Sequence, residues 1–126
     1  MTDTPSAQTL LRDYLTQVAR RGQPVTYRHA CNALGITPPG MIQTLARLLE
    51  DSMRDDARAG RPFLAALVVS QSRERRDLPA PGFFATARAL GRLDDEAAAE
   101  VDQTATLDTA RRFHEQELAA VRTTYG

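Results

Sequence analysis

Few residues in this chain have the type and spacing to do covalent chemistry. Cys31 is the single cysteine, and His29 stands two residues before it. A thiol beside an imidazole suggests a nucleophile and its base. On a helix, however, residues two apart point about 200° from each other and cannot pair. Cys31 is instead expected on the inner face of a short helix, between Ala30 and Leu34, behaving as a small hydrophobe. His29 is expected to be solvated or capping, and His114 to pack at the edge of an apolar stripe. The two histidines have no cysteine or carboxylate at ligand spacing, so no metal site is expected. There is no P-loop, no dinucleotide glycine fingerprint, no HExxH and no CxxC pair. The expectation is a chain with no catalytic residues, no cofactor and no metal.

Binding residues are easier to find. Gln43, Thr44 and Arg47 carry donors and acceptors that can meet base edges or phosphates. Arg28 could join them from a preceding helix, and Arg73, Arg75 and Arg76 from a loop. Against them, Glu50, Asp51, Asp55 and Asp56 crowd the same stretch further along and would repel phosphate wherever they faced a duplex. Only the first two turns of that helix are therefore expected to present themselves.

The elements that position these residues follow from apolar periodicity and punctuation. Thr4-Pro5 reads as a helix start, followed by Ala7, Leu10, Leu11, Tyr14, Leu15, Val18 and Ala19 on one face. Gly22 ends that helix. Thr26 can cap a second helix over 27–34, closed by Gly35. Thr37-Pro38 repeats the start signal, and Met41, Ile42, Leu45, Leu48, Leu49 and Met53 mark a long amphipathic helix to about residue 59. A short helix, a tight turn and a longer helix make a helix-turn-helix. The apolar run 63–69 then reads as a buried strand, and 70–82 as a basic loop. Phe83 to Leu90 is expected to be a short helix. An acidic, alanine-rich stretch follows from Asp94, then a break at 102–106. A last helix carries Leu107, Ala110, Phe113, Leu118 and Val121, its stripe interrupted by His114 and Glu117.

Composition agrees with an ordinary globular domain: 42% apolar and 25% charged residues in 126. All 16 cations are arginine against 16 acids, so the net charge is zero. The distribution is uneven, at +3 over 1–49, +1 over 50–90 and −4 over 91–126. Neutrality weighs against obligate tight DNA binding but leaves room for a local basic patch. Neither a secretory leader nor an apolar run of membrane-spanning length is evident, so a cytoplasmic protein without a membrane partner is expected.

The stretch Gly22-Gln-Pro-Val-Thr-Tyr-Arg-His-Ala-Cys-Asn-Ala-Leu-Gly35 resembles the opening of the DNA-binding domain of alkyltransferase and alkyltransferase-like proteins. There a Gly-x-Val-Thr-Tyr-like segment starts a helix ending in Leu-Gly. The resemblance covers 14 of 126 residues. The family's reactive Pro-Cys-His-Arg segment has no counterpart after Pro62, where this chain reads Phe-Leu-Ala-Ala-Leu. The resemblance therefore implies the winged helix-turn-helix shape and not alkyl transfer.

The expected architecture is mainly α, with a winged-helix-like helix-turn-helix core and a small β element over 1–91, and a C-terminal helical extension over 92–126. The extension either packs on the core or mediates assembly. Two functions fit this scaffold. One is a non-catalytic module acting by protein-protein interaction or regulation, with a partner or second copy held through the Leu107–Val121 helix. The other is a regulator of double-stranded DNA using residues 38–48 and loop 71–78.

Overall fold

The chain was analysed as a computed structural model, which describes residues 6–70, 78–92 and 108–126. The expected start at Thr4-Pro5, the acidic stretch from Asp94 and the break at 102–106 lie outside these residues. Within them the protein is mainly helical, with a two-stranded parallel sheet.

Helix α1 spans Ala7–Arg21, and its amino end is capped by Ser6, whose hydroxyl accepts the Thr9 N–H at 3.1 Å. Leu11, Leu15, Val18 and Ala19 form its buried face. Strand β1 is only Val25–Thr26, and Thr26 also caps α2, Tyr27–Leu34, by accepting the His29 N–H. Helix α3 spans Met41–Ala59. It does not begin at Thr37-Pro38 as the repeated signal predicts. Pro38 precedes Pro39, which pushes it out of the helical region, and the chain turns once more through Gly40 at φ 75° before the helix starts.

The run 63–69 is buried throughout, as its composition predicts, but most of it is not a strand. Leu64–Leu67 forms a 3-10 turn and only Val68–Val69 pairs as β2, with Val25 opposite Val68 and Thr26 opposite Val69. A parallel pair needs a long crossover, which α2 and α3 supply. Helix α4 covers Pro81–Ala89 with proline in its first turn, and α5 covers Asp108–Tyr125.

Polar side chains explain why the turn 64–67 tolerates the core. A buried backbone N–H or C=O must find a partner, and here there is no ladder to supply one. The Asp56 carboxylate, fully buried on α3, accepts the Leu64 N–H at 3.3 Å, and Glu117 on α5 accepts the Phe63 N–H at 3.2 Å. The Ala66 carbonyl lies 2.8 Å from His114 Nε2. A carbonyl only accepts, so that nitrogen carries the hydrogen. Asp56 is also paired with Arg12 at 2.9 Å and Arg61 at 3.1 Å. Arg92 reaches Glu117 at 3.2 Å and the Arg61 carbonyl at 2.9 Å while lying 4.1 Å above the Phe63 ring.

Around this polar spine sits one apolar cluster shared by the five helices of the described residues, with Phe83 in contact with Phe63, Phe84 and Phe113 at centroid distances of 5.1 to 6.1 Å. Ala110, Phe113 and Val121 bury the stripe of α5 in that cluster. His114 and Glu117 are therefore not gaps in an incompletely covered helix. They are buried groups that hold the central segment, and the interruption of the stripe has an internal use.

Replacing Asp56 by Ala removes the acceptor for Leu64 and leaves Arg12 facing the interior without its counter-charge. The expected cost is about 3 kcal/mol or more, the scale on which breaking a buried ion pair destabilises. Replacing Asp51, half-exposed and paired with Arg54 at 2.7 Å, should hardly move the denaturant midpoint. Equal shifts in urea unfolding for the two variants would contradict the structural role given to Asp56.

Candidate functional site

Of the sequence-predicted residues of α2 and α3, Arg28 lines a groove between the two helices, whereas Gln43, Thr44 and Arg47 are exposed on α3 outside its lining. Tyr27 and Arg28 in the first turn of α2, Ile42 and Ala46 in the first two turns of α3, and Ser70 and Ala80 line a hollow of about 310 Å³. Ser70 and Ala80 flank the arginine-bearing segment, and its ends are held near one another. The Ser70 N–H donates to the Leu78 carbonyl at 2.7 Å, and the Ala80 N–H donates to the Tyr27 hydroxyl at 2.9 Å. Arg73, Arg75 and Arg76 lie outside the described residues, but the chain leaves and re-enters the fold at this groove.

Arg28, Gln43, Thr44 and Arg47 are all exposed. Gln43 and Arg47 are one turn apart and form a polar row along α3, with Ile42 and Ala46 as a neighbouring apolar row. Gln43 folds back over the helix start, its Oε1 lying 3.8 Å from where a Cβ on Gly40 would stand. Gly40 offers no side-chain cap, so the first-turn N–H groups of α3 are not satisfied by one.

The acids further along α3 are disposed differently from what their number implies. Asp51 pairs with Arg54 at 2.7 Å, Asp55 pairs with Arg58 at 3.4 Å, and Asp56 is inside. Glu50 is half-buried and lines a small neighbouring hollow with Tyr27, Ala46 and Gly82. Arg28 and Arg47 have no acidic partner among the described residues. The amino end of α3 therefore carries local positive charge on a chain that is neutral overall.

Of the six residues lining the groove, only Arg28 is among those the sequence singles out for binding. Tyr27 was seen only as a helix residue, yet its hydroxyl ties the end of the arginine segment to α2. Ile42 was assigned to the apolar stripe and is 47% exposed. Its angular position is that of the core face, yet Met41 beside it packs partly against the core while Ile42 lies on the groove wall. A larger hollow of about 390 Å³ contains none of Arg28, Gln43, Thr44 and Arg47, but Arg111, His114, Glu115 and Leu118 of the helix expected to hold a partner line it with Gln23.

The groups capable of covalent chemistry are kept apart. Cys31 is fully buried, its thiol 3.5 Å from the Met41 carbonyl, and His29 is exposed. No three metal-ligating side chains come together among the described residues. No helix among the described residues is long and apolar enough to cross a membrane. Burial pushes the Tyr14 hydroxyl pKa up, opposed by the positive charge of Arg21. Burial alone pushes the Cys31 thiol up.

The Cys31 shift has a sign that can be measured. In the unfolded chain the thiol ionises in its ordinary range near pH 9, whereas in the folded protein it holds its proton. Stability linked to Cys31 is therefore fully present below that range and falls as pH rises through it. Unfolding free energies from neutral to alkaline pH should decline less steeply above pH 9 in Cys31→Ala than in the parent. Parallel profiles would refute the assignment.

No protein-family model matches the chain, and no curated protein or solved structure matches it significantly. The functional reading rests on the groove itself.

Proposed function

We propose that this protein is a non-catalytic, double-stranded DNA-binding module of winged helix-turn-helix type. The amino end of α3 enters the major groove, and Arg28 with the arginine segment lies against the phosphates. One observation carries this reading: the first turns of α2 and α3 and both ends of the arginine segment line one groove that includes Arg28, which has no acidic partner among the described residues. Pairing of Asp51 and Asp55 with arginines of their own helix supports it, because their repulsion of phosphate is offset locally. Gln43 and Arg47 suit base edges, and Thr44 suits a phosphate or base.

A second reading, a protein-contact module, is favoured by a different patch. Leu10 is 45% exposed on α1 and borders a hollow of about 50 Å³ with Ala7, Leu34, Ile36 and Leu48. An apolar edge of this kind suits a partner or a second copy. It does not use the arginines, so the two readings separate in experiment.

A neutral protein should bind duplex weakly and with strong salt dependence. Titration of a labelled duplex at increasing salt should give a slope near −0.9 in log K against log salt for each phosphate neutralised. Arg28→Ala and Arg47→Ala should each weaken binding, and a lost phosphate contact should reduce that slope by about 1. Leu10→Ala should leave it unchanged. No binding at low salt, or binding indifferent to Arg28 and Arg47, overturns the DNA reading. A co-purifying partner lost on Leu10→Ala would then favour the second.

A further inference from the structure

We propose that the amino half of α3 senses the 5-methyl group of thymine through Ile42, so that the preferred duplex contains an A·T pair at that position. The inference rests on the DNA-binding reading above and adds the base that the groove selects.

Ile42 and Ala46 form an apolar row on the wall of the groove, and Gln43 and Arg47 form a polar row on the adjacent strip of the same two turns. In the major groove an A·T pair presents the same combination. Thymine offers a methyl group at its edge, and adenine offers a donor and an acceptor that a glutamine side chain can meet together. A G·C pair has no methyl to place against Ile42. An anionic occupant is favoured by Arg28, which lines the groove beside the apolar row, and by Arg47, exposed one turn beyond Gln43, both without an acidic partner among the described residues; Glu50 lies further along, in the adjoining hollow.

Ile42 is one of two large apolar side chains left exposed among the described residues, the other being Leu10 on α1. An exposed isoleucine at the start of a helix contributes little to folding, because it has few neighbours to bury against. Covering one methyl group against it strengthens binding by about fourfold, the factor that corresponds to burying one such group.

The test begins by selecting bound duplexes from a random-sequence pool and resynthesising the preferred site with deoxyuridine in place of thymidine. Deoxyuridine keeps every hydrogen-bonding atom and removes only the methyl. The parent protein should bind the uracil duplex about fourfold more weakly for each thymine contacted. Ile42→Ala should bind both duplexes alike, with the salt slope of the parent. Leu10→Ala, which also shortens an exposed apolar side chain, should discriminate as the parent does. Equal binding of the two duplexes by the parent overturns the inference and leaves the DNA reading standing. Discrimination that persists in Ile42→Ala also overturns it. Failure of the parent to bind any duplex at low salt removes both.

Discussion

The structure depends on how a short piece of non-repetitive backbone is kept in an apolar interior. Between Arg61 and Val69 the chain passes through the middle of the protein, and strand pairing reaches only its last two residues. Without partners the remaining amides and carbonyls would each cost on the order of 1–3 kcal/mol. Three side chains from two helices serve them, and each has its own supporting contact or role. Asp56 is balanced by Arg12 and Arg61, Glu117 by Arg92, and His114 holds the Ala66 carbonyl. The cations are only partly exposed, at 27% for Arg12 and 25% for Arg92, so their charges are screened less than on an open surface. The groove inherits its geometry from this segment, because Ser70 stands directly after it.

The legible parts of the sequence were those governed by neighbours in the chain. Periodicity located α1, α2, most of α3, and the short α4, and Gly60 at φ 68° ends α3 as its position predicts. The mainly helical class and the small β element followed from the same signals. What could not be read depends on residues far apart. Phe63 and its acceptor Glu117 are 54 positions apart, and nothing local to either announces the pairing. A glutamate in an apolar stripe reads as an interruption until the amide it meets is known. Similarly, Asp56 counted as one more acid on a helix before its burial distinguished it from Asp51 and Asp55.

Of the candidate groove, Arg28 is legible by its type and its position at a helix start, and the apolar wall is not. Ile42 shares the angle of the core residues, and periodicity carries no information on where along a helix the core ends. Met41, in the same first turn, still packs against the core, so the core boundary passes between neighbouring residues of one turn and leaves Ile42 on the surface.

The position of Glu117 and His114 on α5 also bears on how the chain reaches its native state. The polar groups of residues 63–66 are synthesised well before two of their partners, which lie 48 and 54 positions further along the chain, together with Phe113 and Val121 of the shared cluster. Until α5 is released from the ribosome, the preceding elements have a centre with exposed aromatic rings and unmet amides. Nascent chains should therefore stay open to chaperones and proteases until α5 has emerged, with cooperative closure deferred to that point.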